Sequence, residues 1–343
     1  MGERVELVID PLRRDRVSIE LPLTYRVPVE SVRSELGLPD SVDLSDPIVA
    51  RAVALAGAAR RQVPGVRFAV FGGVAHRLRC AASNRASFGL RHELHDLDIA
   101  IRLDEVRSFE RFLRGVAASE GSGLTFFETP GDRIFNSLSG GQRLRWHMVV
   151  GQQDSEVALG TLDIVADEFS FCHRFDVRDD VEAAPRNGWT LSPAHLLLAK
   201  GQFIQRIPKS ESVTVSDRVL EPFGKHDVVI GPESKDVRDL LALLHDHALG
   251  EGPGEISPRV LERRLRSDWG LWKTIGLNLG MVGRSKVLAA VPETARAQIR
   301  ERLDALTALV APIAPKRRFG FLGGPWWQEV DSTPSVDTTV AVG

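Results

Sequence analysis

Two glycines and three acidic residues are the parts of this chain whose types and spacing point most directly to chemistry. They are Gly72 and Gly73 in VRFAVFGG, Asp96 and Asp98 in HDLDIAIRL, and Asp163 in TLDIVAD. Side chains alternate along a strand, so Asp96 and Asp98 leave one face while Leu97 and Ile99 enter the core. Asp163 lies between Leu162 and Ile164 and would add a third carboxylate from a neighbouring strand; Asp167, four residues on, is the competing candidate. Three acids gathered in a partly buried site repel one another, which is sustainable when a divalent cation compensates them. Ligation by oxygen alone suits Mg²⁺ or Mn²⁺, which also bind substrate phosphates, and two such ions can clamp an in-line displacement at phosphorus. Gly72 and Gly73 lack Cβ atoms, so phosphate oxygens can approach backbone N–H groups at the positive end of a following helix.

The surrounding pattern supplies the elements that must hold these groups. Residues 1–45 read as an N-terminal extension with a strand or two and a short helix. PIVARAVALAGAARRQV, after Asp46, has helical spacing and stops at Pro64-Gly65. VRFAVF reads as a buried strand, VAHRLRC opens a helix, and DLDIAI alternates as a strand. DEVRSFERFLRGVAASEG then follows as an amphipathic helix with Val106, Phe109, Leu113 and Val116 on one face. Further strands are expected at LTFFE, RLRWHMVVG and ALGTLDIVA. This order predicts an α/β domain over 46–188 with a mixed sheet and flanking helices. Ser192 as a cap and Pro193 at the first helical position open a mostly helical domain over 189–330, expected to close over the nucleotide. The tail at 331–343 reads as disordered.

The order FGGVAH, then DLDIAI, then LDIVA resembles the nucleotidyltransferase superfamily related to DNA polymerase β. The resemblance implies that Gly72 and Gly73 cradle the nucleotide phosphates and that Asp96 and Asp98 hold the metals. It also implies that Asp163 completes the site and helps to activate an acceptor hydroxyl. LSPAHLLLAKGQFIQR and SKDVRDLLALLHDH are similar to the helical part of the abortive-infection toxin branch, with Lys200, Lys235, Asp236 and Asp239 at its motif positions. From this similarity Lys200 and Asp239 are expected to serve the nucleotide, with Asp239 pairing with and orienting Lys200. Asp236 reads instead as a helix-capping residue. The similarity spans roughly residues 66–248, and 22 residues, longer than is usual in the family, separate Gly73 from Asp96. Arg77, Arg79, Arg85 and Arg91 lie in that interval as possible phosphate contacts.

The reaction implied is transfer of a nucleoside monophosphate from an NTP to a hydroxyl, with release of pyrophosphate. ATP, CTP, GTP and UTP are all compatible donors. The acceptor is a macromolecule such as tRNA or a protein, or a small molecule, and the toxin branch implies a cognate antitoxin as a partner. A rival reading takes His92, His95 and Asp96 with His245, Asp246 and His247 as a transition-metal site of a phosphohydrolase. His92 and His95 share a face on a helix but not on a strand, which weighs against it. A third reading is a catalytically silent nucleotide-fold protein that acts as a binding partner.

Composition narrows the field further. The 343 residues carry 44 Lys+Arg against 46 Asp+Glu, a formal charge of −2, with 43% hydrophobic and 26% charged residues. That is the composition of a globular chain, and it excludes blanket electrostatic binding of nucleic acid as the main role. Cys80 and Cys172 are the only cysteines and form no ligand-spaced pair, so a thiolate zinc site and a disulfide scaffold are excluded and a reducing cytoplasm is expected. No run of about 18 apolar residues occurs, so no membrane span is expected. Trp326 and Trp327, in RRFGFLGGPWWQEV, read as packing residues.

Overall fold

A computed structural model describes residues 4–6, 18–20, 29–62, 65–119, 125–150, 157–208, 220–223, 227–316 and 325–328. In chain order the elements begin with β1 (Arg4–Glu6), β2 (Ser18–Glu20), α1 (Val29–Leu36), α2 (Pro47–Gln62), β3 (Ala69–Phe71), α3 (Gly72–Arg79) and α4 (Ala81–Asn84). Next come β4 (Asp96–Ile101), α5 (Val106–Ser119), β5 (Thr125–Phe127), α6 (Pro130–Leu138), β6 (Arg143–Val150) and β7 (Val157–Ala166). They are followed by β8 (Glu168–Ser170), β9 (Arg174–Asp176), α7 (Arg178–Ala183), α8 (Pro193–Gly201), β10 (Gln205–Pro208), β11 (Leu220–Phe223) and β12 (Asp227–Ile230). The chain closes with α9 (Ser234–Asp246), α10 (Pro258–Ser267), α11 (Trp269–Gly283), α12 (Lys286–Ala290) and α13 (Glu293–Val310).

The chain divides into two compact units. The first comprises 1–79, 93–168 and 176–191; the second comprises 80–92, 169–175 and 192–343. The long interval between Gly73 and Asp96 is therefore structured: α3 fills its start, and 80–92, with α4, belongs to the second unit.

The first unit is built on a mixed five-stranded sheet of order β3-β4-β7-β6-β5. Only the β4–β7 pair is parallel; β3–β4, β7–β6 and β6–β5 are antiparallel. Alternation sorts the site-bearing stretches of the three central strands. Leu97, Ile99, Leu162, Ile164, Leu144, Trp146 and Met148 are buried, while the residues between them from Asp96 to Asp98, Thr161 to Asp163 and Arg143 to His147 are half-buried. The apolar face joins Phe109 and Leu113 of the amphipathic α5, with Phe68 packed edge-on to Phe109 at 5.5 Å and against Trp189 at 4.8 Å. The side chain of Val116 lies outside the described residues. The free edge of β3 is covered by 189–191, where Val70 donates to the Trp189 carbonyl and Leu191 donates to the Val70 carbonyl. That pairing satisfies an edge that would otherwise invite association.

The second unit holds α8 to α13 and a three-stranded antiparallel sheet of order β10-β12-β11. The region is mostly helical, as expected, and this small sheet is an addition that the sequence pattern did not mark. Its strands are four residues long, two of them contain prolines (Pro208 and Pro222), and β10 and β12 are separated by 18 residues, so no hairpin alternation marks them. Trp327 is buried with Cys172, Ile204, Val229 and Met281, and Trp326 donates to Thr274 Oγ1 at 3.0 Å. These tryptophans pack the C-terminal segment onto the unit. The tail at 331–343 lies outside the described residues. No helix among the described residues is long and apolar enough to cross a membrane.

Candidate functional site

Register does what alternation alone cannot. The parallel pairing of β4 with β7 places Asp98 directly beside Asp163 and Asp96 beside Thr161, and β3 sets Phe71 beside Asp98. Carboxylate oxygens of Asp96, Asp98 and Asp163 all lie within 4.8 Å of one another, and this is the only such group of three or more metal-ligating side chains among the described residues. Asp167 does not join them. It adopts a left-handed backbone (φ 63°) in the turn after β7, and its Oδ1 accepts the Leu103 N–H at 3.1 Å.

Gly72 follows β3 at the corner of the site with φ +65°, and a Cβ there would lie 1.8 Å from Asp98 Oδ2. A side chain at this position would thus collide with the trio while straining the backbone. α3 starts at this corner, so the first backbone N–H groups of a helix open beside the acids. Gly160 makes a second close approach: with φ +146°, its Cβ would meet the His95 carbonyl oxygen at 2.0 Å. The register of β6 on β7 shifts nearby, between Met148 and Val149.

The donor set fits a hard divalent cation. It is made of oxygen only, it is half-buried, and it carries three formal negative charges. Adjacent oxygens on one octahedral Mg²⁺ stand about 3 Å apart and opposite ones about 4.2 Å, so the observed spacing needs only small side-chain rotations.

β6 brings two cations to the same face, which the sequence reading did not include. Arg145 lies opposite Asp163 and grips it with both Nε and Nη2, at 2.7 and 3.2 Å. That fork holds the Arg145 guanidinium above its ordinary range. Burial pushes Arg143 the other way, partly offset by the negative charges of Asp163 and Asp98. Both guanidiniums lie over the Phe135 ring, at 5.4 and 5.9 Å from its centroid. The signal for them was present in RLRWHM, whose alternation puts Arg143, Arg145 and His147 on one face once the strand is assigned.

In the second unit, Lys200 Nζ contacts Asp236 Oδ1 at 2.7 Å and Asp239 Oδ2 at 3.0 Å, with its side chain 12% exposed. The Lys200–Asp239 pairing is thus present. Asp236 does more than the capping expected of it: its Oδ2 accepts the Glu233 N–H at 3.3 Å while Oδ1 takes Lys200. His92 Nε2 contacts Asp239 Oδ1 at 2.8 Å. Of the arginines between the glycines and Asp96, Arg79 bonds Thr190 and the Asn187 carbonyl, and Arg85 lies 5.9 Å from the Phe88 ring centroid.

Three histidines of the rival metal site are engaged separately. His92 belongs to the Asp239 network, His245 contacts Asp246 at 2.7 Å, and His247 bonds the Gly254 carbonyl. Asp246 in turn accepts the Ala82 N–H at 2.8 Å. No protein-family model and no curated protein sequence matches the chain.

Proposed function

We propose that the chain is a divalent-metal-dependent nucleotidyltransferase that moves a nucleoside monophosphate from an NTP to a hydroxyl acceptor. The observation that carries this reading is the convergence of Asp96, Asp98 and Asp163 within 4.8 Å beside the Gly72 corner. Arg145 offsets the charge of Asp163, and a divalent cation would compensate the repulsion between Asp96 and Asp98 beside it. In this reading the three acids hold Mg²⁺ or Mn²⁺, which when bound neutralises phosphate charge and acidifies the attacking hydroxyl. The chain itself does the orienting. The glycine corner presents N–H groups to phosphate oxygens, and the buried apolar face of the sheet fixes the strand positions of the acids. The resemblance of LSPAHLLLAKGQFIQR and SKDVRDLLALLHDH to the abortive-infection branch supports a macromolecular acceptor and a toxin role with an antitoxin partner.

The test is incubation of the full chain with each labelled NTP, Mg²⁺ and cell extract, followed by separation of nucleic acid, protein and small-molecule fractions. Label should enter one fraction, depend on Mg²⁺, and disappear with Asp98→Asn. The donor NTP with Mg²⁺ should also stabilise the folded chain, by about 2.7 kcal/mol at a hundredfold excess over Kd. Labelling that survives Asp98→Asn would remove the assignment.

A further inference from the structure

Beyond the acids, the same face of the sheet carries a second group. His147 lies two residues beyond Arg145 on β6 and therefore projects from the same side, opposite Thr161 of β7. Thr161 is itself the neighbour of Asp96. Diagonal neighbours on such a ladder are about 7–8 Å apart, so His147 stands diagonally across from Asp163 on the same face.

The imidazole is held from two sides. Its Nε2 lies 3.0 Å from Asp132 Oδ2, and its ring stacks on Phe127 at 5.2 Å with an interplanar angle of 23°. Asp132 is itself firmly anchored, because the same oxygen accepts the Thr129 N–H at 3.0 Å and the Thr129 hydroxyl at 2.5 Å in the capping box of α6. That carboxylate oxygen already accepts twice from Thr129 and can only accept from the ring, so in the neutral imidazole the hydrogen lies on Nε2 and the lone pair on Nδ1. His147 is 33% exposed, so the ring is open to a substrate.

Sheet order says which substrate. The glycine corner follows β3 at one edge, the acids occupy β4 and β7, and β6 and β5 lie beyond them. An in-line displacement needs the nucleophile opposite the leaving group. With pyrophosphate leaving on the glycine side, the attacking hydroxyl enters over β6. We infer that His147, positioned by Asp132, is the general base that takes the proton of the acceptor hydroxyl. This inference rests on the nucleotidyltransferase reading. The acceptor oxygen forms a bond to the α-phosphorus, its proton passes to His147 Nδ1, and the bond from the α-phosphorus to the bridging oxygen breaks. Its electron pair leaves with pyrophosphate.

The test uses the full chain, labelled NTP, Mg²⁺ and the extract fraction that accepts label. His147→Gln should lower kcat by about 10²–10⁴-fold, the usual span for a general base, with KM for the NTP and the NTP-dependent stabilisation unchanged. Added imidazole should restore part of the rate in His147→Ala. ¹⁵N NMR should find His147 in the Nε2–H form in the unmodified chain, and Asp132→Asn should erode that preference, a change that loss of packing alone would not produce. Transfer by His147→Gln at the parental kcat, or a Nδ1–H ring in the unmodified chain, overturns the inference while leaving the parent reading intact. Absence of transfer by the unmodified chain removes both.

Discussion

Arg145 holds Asp163 by a two-point grip, with Nε at 2.7 Å and Nη2 at 3.2 Å from its two carboxylate oxygens. The third acid of the trio is thus shared between a fixed cation on β6 and any ion the three acids receive. A guanidinium at this range opposes a second cation by roughly 1–4 kcal/mol, depending on the effective dielectric. Arg145→Gln should therefore tighten Mn²⁺ binding by about tenfold, measured by calorimetry on the full chain. Unchanged affinity would show that Asp163 stands outside the ion's ligand set.

Asp96→Asn separates function from fold. Removing one of three clustered carboxylates relieves repulsion, so the thermal midpoint without metal should hold or rise slightly, while nucleotide transfer falls by about a hundredfold or more. Circular dichroism melting and the labelling assay read the two effects. A large loss of stability with unchanged transfer would assign Asp96 to structure.

Gly72→Ala acts through backbone and side chain together. The left-handed conformation alone costs about 1–2 kcal/mol with a Cβ, and that Cβ would stand 1.8 Å from Asp98 Oδ2. The variant should melt lower and lose Mn²⁺ binding in the same step, because Asp98 must move. Retention of parental Mn²⁺ affinity would contradict the close approach.

Lys200 contacts both Asp236 and Asp239, each of them buried. Lys200→Met leaves those carboxylates short of a partner and should destabilise by about 3–5 kcal/mol, read as a lower urea midpoint. Adding Asp239→Asn should recover part of the loss, and failure to recover it would mean the cost is one of packing.

Asp268 sets a pH dependence in the second unit. Burial pushes its carboxyl up, but His173, whose Nδ1 lies 3.7 Å away, and the Leu271 N–H at 3.1 Å outweigh it and hold it below the ordinary range. A depressed carboxyl contributes stability above its unfolded value near 4, and that contribution is lost as pH falls through the still lower folded value. Asp268→Asn should therefore melt below the parent at pH 6, with the gap closing as the pH falls below the unfolded value near 4. A gap independent of pH would point to the helix cap instead of the charge.

Local pattern was enough to find the glycine corner, to place Asp96 and Asp98 on one face, and to prefer Asp163 over Asp167, because a two-residue period and flanking apolar residues are written in neighbouring positions. The same kind of signal was available for Arg145 and His147, but their significance depends on which strand lies beside β7. Pairing joins residues 65 positions apart, as with Asp98 and Asp163, and no local preference encodes such a partner. The short β10–β12 sheet escaped for a related reason: four-residue strands gain their stability from partners and not from their own sequence. The chain alone thus set which groups could meet, by alternation and by the absence of a side chain at Gly72. Only tertiary pairing decided that Asp163 meets Asp98 and Arg145 together, because hydrogen-bond register between distant strands is settled by burial of their shared apolar face.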